Sequence, residues 1–210
     1  MRLPRLHLVT DDDVLADPAF RDRAGALIRT HGGRLALHLR SPAGDVRRLH
    51  ELTAALLRGA RRSGAPLLVN DRPELVLALG AAGVQLGRRS IPVQAARALL
   101  GEDRMIGYSA HGAEETVSAV SNGADFVLLG TIWATPSHPD GEGRGLDLVR
   151  EAVTRADAPV LAIGGVTPER AREARNAGAH GVAVIRGVWH ASDPTAAAAA
   201  YLDVMEDEGP

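Results

Sequence analysis

The sequence predicts one (β/α)8 barrel spanning residues 1–210, and three observations carry that expectation. Eight short apolar runs alternate with segments of helical character. Several runs (LLVN, FVLLG, VLAIGG, VAVIRG) are apolar throughout, as strands covered on both faces must be. The phrases GAAGVQLG, NGADFVLLG and NAGAHGVAVIRG share one pattern of helix end, Gly-Ala turn and apolar strand. Repetition of that kind suits a closed ring of similar units better than the structural alternative, a doubly wound open sheet. Units of about 26 residues lie near the lower size limit of such a barrel.

The strands are expected at 6–10, 34–40, 66–70, 83–86, 105–109, 126–131, 159–164 and 181–186. A helix over 17–30 opens with Asp17 as N-cap and Pro18 in its first turn, and stops at His31-Gly32-Gly33. The segment 45–63 places Leu49, Leu52, Leu56 and Leu57 on one face of a 3.6-residue period. Shorter helices are expected at 72–79, 92–100 and 113–121, ending at Gly80, Gly101 and Asn122-Gly123. Thr167-Pro168 and Asp193-Pro194 each read as an N-cap followed by proline at the first helical position. The run Ala196 to Ala200 falls inside the last helix.

Composition removes whole classes of chemistry. The chain has no cysteine, which excludes thiolate metal sites, iron–sulfur clusters, disulfides and cysteine nucleophiles. It has no lysine either; all 24 basic residues are arginine, which excludes Schiff-base mechanisms and lysine-dependent phosphate loops. A net charge of −2 and 3% aromatic residues offer neither the electrostatic pull nor the stacking surfaces of a nucleic-acid binder. No apolar run is long enough to span a bilayer, and MRLPRLHLVTDD lacks the apolar core of a secretory leader. The expectation is a cytoplasmic enzyme or binding domain for a small molecule, with no nucleic-acid or membrane partner. A homo-oligomer is compatible with the sequence.

Functional residues of a parallel barrel lie at the C-terminal ends of its strands. Those ends read Asp11, His38 with Arg40, Asn70 with Asp71, Gln85, Ser109 with His111, Thr131, Gly164-Gly165 and Arg186. At the last two strands, Gly164-Gly165 and Ile185-Arg186 form an expected phosphate site: backbone N–H groups at helix starts point at the anion and a guanidinium adds a charged fork. The loop 131–145 is long for a βα connection, and its Thr135 and Ser137 offer hydroxyls to an anion while His138 titrates near neutral pH. Asp71 is either a Mg²⁺ ligand or the cap of the following helix. The loop after strand four, Gly87-Arg88-Arg89-Ser90, suits an anion better than a cation. His31, His50, His180 and His190 fall at helix ends or faces and are expected in solvent; His7 and His38 lie on strands, each either a packing residue or one that points into the barrel.

The phrases Leu-Val-Asn-Asp-Arg, Gly-Val-Gln-Leu-Gly, Gly-Tyr-Ser-Ala-His, Ala-Thr-Pro-Ser-His, Ala-Ile-Gly-Gly-Val-Thr-Pro-Glu-Arg and Gly-Val-Ala-Val-Ile-Arg-Gly occur in this order. In that arrangement the chain resembles the thiamine phosphate synthase / TenI superfamily along almost its whole length. The resemblance implies a (β/α)8 barrel and one of two activities. The synthase branch joins a hydroxymethylpyrimidine diphosphate to a thiazole phosphate with Mg²⁺. The tautomerase branch moves a proton on a thiazole carboxylate phosphate, with no cofactor, to give the aromatic ring.

Departures from the synthase pattern point to the tautomerase branch. The synthase's Gln-x-Arg-x-Lys falls on His38, Arg40 and Pro42; its second metal aspartate falls on Ser90; its lid lysine on His138; its strand-four histidine on Gln85. The tautomerase branch has histidine at the His38 position, Val-Gln-Leu on strand four and Gly-Arg-Gly after the lid, as in Gly143-Arg144-Gly145; its catalytic histidine falls on Thr131. The first expectation is therefore a tautomerase-like enzyme of thiamine biosynthesis acting on a thiazole phosphate. His138 then His38 are its acid–base candidates. Arg40, Asn70, Ser109, Thr135, Ser137, Gly164, Gly165, Ile185 and Arg186 bind substrate, and Asp71 is a metal ligand lacking its second carboxylate. The alternative is a thiamine phosphate synthase with arginines at its diphosphate site and Mg²⁺ as cofactor. The second alternative is a regulatory barrel that binds the phosphate ligand without catalysis.

Overall fold

A computed structural model describes residues 3–135 and 143–207. Eight parallel strands close a barrel in sequence order: β1 (Leu6–Val9), β2 (Leu35–Leu39), β3 (Leu67–Asn70), β4 (Gly83–Leu86), β5 (Met105–Ala110), β6 (Phe126–Gly130), β7 (Val160–Ile163) and β8 (Gly181–Val184). Each coincides with an expected strand to within two residues. Between and after them run α1 (Asp12–Ala16), α2 (Phe20–His31), α3 (Val46–Ser63), α4 (Pro73–Leu79), α5 (Val93–Leu100), α6 (Ala113–Ser121), α7 (Gly145–Arg155), α8 (Pro168–Asn176), α9 (Arg186–Trp189) and α10 (Pro194–Glu206). None of the described helices is long and apolar enough to cross a membrane.

Alternation along the strands creates two cores. Side chains such as Leu6, Leu8, Leu37, Leu67 and Val84 face outward and pack under the helices. Val9, Ala36, Leu68, Phe126, Leu128, Leu161 and Ala183 form a separate cluster inside the barrel. The inner cluster is not wholly apolar. His7 and His38 lie within it, both 0% exposed, and the Phe126 ring packs edge-on to both at centroid distances of 5.2 and 6.2 Å. Gly107 on β5 makes room for that ring: a Cβ there would collide with Phe126 and with Gln85 Oε1.

The helix signals hold with one correction. Asp45, Thr167 and Asp193 accept hydrogen bonds from first-turn amides of α3, α8 and α10, as N-caps do. The expected helix over 17–30 is instead two. Asp11 caps the short α1, Asp17 ends it, and α2 starts at Phe20. Pro18 occupies the turn between them, where Asp17 Oδ1 accepts from Ala19 N at 2.8 Å. An Asp-Pro pair starts a helix only where the chain does not first need a bend, and here α1 imposes one. His31 also departs from expectation: it is buried, and its Nε2 lies 3.0 Å from the Thr195 carbonyl, because α2 packs its last turn on α10.

Candidate active site

The C-terminal strand ends converge on one mouth. On β2 and β3, Arg40 and Asn70 stand above His38 and Leu68. The Thr10 hydroxyl bridges the Arg40 amide and carbonyl at 2.8 and 2.9 Å, holding the first two strand ends together. Arg40 is half-buried and its guanidinium has no acidic partner among the described residues. Gln85 donates through Nε2 to Ser109 Oγ at 2.9 Å, linking β4 to β5.

Below the mouth runs a chain of imidazoles. His7 Nε2 faces the Pro4 carbonyl at 3.2 Å, and His7 Nδ1 lies 2.8 Å from His38 Nε2. The carbonyl can only accept, so His7 carries its proton on Nε2 and His38 donates to it through Nε2. His38 Nδ1 is then a bare acceptor, buried and without a partner; Asn70 Oδ1 and Gln85 Oε1 are buried acceptors in the same state. Burial pushes the His38 pKa down to about 3, and burial first and His38 second hold His7 well below the imidazole range. His38 therefore stands in the barrel interior as a neutral hydrogen-bonding group, a position that favours ligand anchoring over acid–base exchange at neutral pH. The other acid–base candidate, His138, lies outside the described residues, as does Ser137.

The loops after β7 and β8, where the sequence places a phosphate site, are shaped by close packing between loops. Gly164 and Gly165 have φ of +99° and +64°, which favours glycine. A Cβ on Gly164 would stand 2.5 Å from Thr131 Cγ2, and one on Gly165 2.7 Å from the Ala134 carbonyl. The two glycines thus let the β7 loop lie against the β6 loop, rather than making room for a ligand. Arg170 ties the two loops further: its NH1 donates to the Gly165 carbonyl at 2.6 Å and its guanidinium stacks over the Trp133 ring at 5.6 Å. Ile185 is the N-cap of α9, whose first residues Arg186 and Gly187 present amides that no described acceptor takes. Arg186 is half-buried without an acidic partner among the described residues. Tyr201 of α10 supports both loops from beneath, donating to the Val166 carbonyl at 3.0 Å and filling the space where a Gly187 side chain would stand.

The long loop after β6 is clamped at its neck. Arg144 N donates to the Thr131 carbonyl at 3.0 Å and Gly145 N to the Ile132 carbonyl at 2.9 Å. Gly143 presses on the backbone of Ile132 and Trp133. The Gly-Arg-Gly motif is this neck. Thr135, the last described residue before the gap, is half-buried.

Among the described residues a cation site does not assemble. Asp71 has a left-handed φ of +61°, donates its amide to the Gln85 carbonyl at 2.9 Å and does not cap α4. The Ser90 hydroxyl donates to its Oδ1, and Ser90 in turn accepts from Gly87 N at 2.8 Å. Where a second carboxylate would share a cation, a hydroxyl hydrogen-bonds the first. Among the described residues no three His, Asp or Glu side chains are grouped to hold a metal. These residues do not fit the Mg²⁺ of synthase chemistry. Arg88, expected to suit an anion, is paired with Glu115 at 3.1 Å.

The fold brings two further groups to this mouth, one without a local sequence signal and one at a strand end. Tyr201 comes from a helix far along the chain. His111, noted only as a strand-end residue, sits with Nδ1 2.8 Å from the Gly130 carbonyl, beside Thr131.

Comparison with known proteins agrees with this architecture. The family model described as thiamine monophosphate synthase, TMP-TENI, matches residues 6–188. Thiamine-phosphate synthase of Roseiflexus castenholzii is 39% identical over 200 residues, covering 95% of this chain and 87% of that protein. The thiamine biosynthesis bifunctional protein ThiM/ThiE of Symbiobacterium thermophilum is 49% identical over 154 residues; the match covers 73% of this chain but only 32% of that longer protein. The solved structure of thiamine phosphate pyrophosphorylase from Pyrococcus furiosus superposes with a TM-score of 0.83 at 31% identity, covering 98% of this chain and 96% of that one. With its closed barrel and these likenesses along nearly its whole length, the chain belongs to the thiamine monophosphate synthase / TenI family.

Proposed function

We propose that this chain is a thiamine-biosynthesis enzyme that couples a thiazole phosphate to hydroxymethylpyrimidine diphosphate, the activity named for its relatives in Roseiflexus and Pyrococcus. The observation that carries it is the set of three buried, unpartnered acceptors at His38 Nδ1, Asn70 Oδ1 and Gln85 Oε1. A buried acceptor without a donor costs about 1–3 kcal/mol, so this interior favours a ligand rich in N–H groups. An aminopyrimidine brings two such N–H donors in its exocyclic amine. The thiazole phosphate would lie against the amides of the β7 and β8 loops, with Arg186 beside it. The thiazole nitrogen attacks the pyrimidine methylene, the C–N bond forms, the C–O bond breaks, and pyrophosphate leaves with the bonding pair. Among the described residues Arg40 is the cation without an acidic partner nearest in sequence to the acceptors, and it stabilises the departing charge.

A second reading, proton transfer on a thiazole carboxylate phosphate, is favoured by the Ser90 hydroxyl occupying the Asp71 carboxylate, since that chemistry needs no cation. The test is thiamine phosphate formation from the two coupling substrates, measured with Mg²⁺ and with a chelator. Product in both conditions is expected. Absence of product in both removes the coupling reading and leaves the second, and product only with Mg²⁺ overturns the metal misfit argued above.

A further inference from the structure

We propose that His7 is a positioning residue that decides which heterocycle this barrel accepts. By accepting the His38 Nε2 proton it holds His38 Nδ1 as a permanent acceptor, and the interior then takes a ring bearing an amino group and rejects one bearing a carbonyl at the same place. This deepens the coupling reading, on whose aminopyrimidine ligand it rests.

Of the three buried, unpartnered acceptors, only one has a fixed sense. Asn70 and Gln85 end in amides, which carry an acceptor and a donor side by side and turn over to suit a ligand. The Gln85 contact with Ser109 Oγ does not prevent this, because a hydroxyl both donates and accepts. An interior lined by such groups alone takes an amino or an oxo ring equally well.

His38 differs because its proton is placed from the far end of a chain. The Pro4 carbonyl only accepts, so His7 holds its one proton on Nε2, 3.2 Å away. His7 Nδ1 is left as a lone pair 2.8 Å from His38 Nε2, and that separation requires a proton between them. The proton belongs to His38, so its Nδ1 is bare. Neither ring gains a second proton to escape this order. Both are 0% exposed, and burial holds His7 well below the imidazole range and His38 at about 3. Packing restrains both rings too: their centroids are 4.9 Å apart, and Phe126 stands edge-on to each, at interplanar angles of 70° and 89°.

The strand register fits this division of labour. The β1 partner of His38 is Val9, so His7 lies a layer below and takes the Nε2 edge from beneath, leaving Nδ1 as the polar atom for a ligand. Asn70 pairs with Gln85, and His38 pairs with Leu68, two residues before Asn70 on the same strand face. A ligand N–H meeting His38 Nδ1 is paired. A ligand carbonyl meets it lone pair to lone pair, no proton moves to relieve the contact, and two buried acceptors stay unpaired. Without the His7 acceptor the His38 proton is free to sit on either nitrogen, and the discrimination is lost. The two rings differ by one hydrolysis, in which the carbonyl oxygen replaces the amine.

The experiment is calorimetry of the whole chain with hydroxymethylpyrimidine diphosphate and with its counterpart carrying a carbonyl in place of the amine, for wild type and His7→Phe. The wild type is expected to bind the amino ring about 10²-fold more tightly or better. His7→Phe is expected to shrink that ratio by about tenfold or more, the amino ring losing affinity and the oxo ring keeping or gaining it. A merely structural role lowers both affinities together, so an unchanged ratio overturns the proposal, as does a wild type that binds both rings alike. Histidine ¹⁵N spectra of the wild type, with His38 assigned by the signal missing from His38→Gln, are expected to show its proton on Nε2. A proton on Nδ1 overturns the proposal whether or not His7→Phe folds. A wild type that binds neither ring overturns the coupling reading and this selection with it, whereas tight binding of the amino ring beside an unchanged ratio overturns the selection alone.

Discussion

At the scale of single residues, the interior histidines carry a pH dependence whose sign follows from their burial. An unfolded histidine binds its proton near pH 6.5, whereas folded His38 binds it only near pH 3 and His7 also well below the ordinary range. Between those values the unfolded state holds more protons. Stability is therefore complete above about pH 6.5 and declines as pH falls toward 3, by about 1.4 kcal/mol per pH unit for each histidine in its window. Urea denaturation midpoints measured from pH 7.5 to 4.5 should show this decline, and His38→Gln should make it shallower. Asp71 gives the complementary prediction. Because Ser90 occupies the place of a second carboxylate, Ser90→Asp should raise Mg²⁺ affinity by about tenfold or more, read by calorimetry with Mg²⁺ alone.

At the scale of elements, the β7 and β8 loops depend on a helix that packs beneath them. The Tyr201 hydroxyl on α10 braces Val166 and backs Gly187, and burial, with Glu169 adding a smaller effect, pushes its pKa up to about 12, so it remains a donor throughout the working pH range. Tyr201→Phe should cost about 1 kcal/mol in stability and weaken thiazole phosphate binding severalfold, while leaving the barrel intact by circular dichroism. Gly165→Ala tests the neighbouring loop. Its methyl would press on the Ala134 carbonyl at a left-handed φ, so a lower Tm and a loss of phosphate-ligand affinity should come together. Affinity unchanged in both variants would remove the β7–β8 loops from the phosphate site.

At the scale of the whole molecule, the closed barrel does two things to one strand set. It packs outward-facing leucines, valines and alanines under helices, and it gathers strand-end polar residues from all parts of the chain into one mouth. Among the described residues of that mouth charge is unevenly supplied: Arg40 and Arg186 have no acidic partner, while Asp71 stands without a second carboxylate. Coupling activity in this setting should persist in chelator, a property of the assembled site rather than of any single residue.

The eight strands, most helix caps and the family resemblance were legible in the sequence because they are local. Apolar runs, Asx-Pro starts and Gly-Ala turns act within a few residues of themselves, and the Asp193 and Thr167 caps form where they were read. His7 and His38 were legible as strand residues, and closure of the barrel turned both inward. What tertiary structure alone decided is contact between distant segments. Asp17-Pro18 became a bend because α1 intervenes, and Gly164-Gly165 serve a loop 30 residues upstream in the chain. His31 is buried by a helix more than 160 residues away, and the protonation of His38 is set by a chain of acceptors ending at Pro4. His111 acquires its fixed tautomer from a carbonyl on the next strand. Each of these is a hydrogen bond or a close approach across the barrel, and such pairings exist only once closure has brought the strands into register.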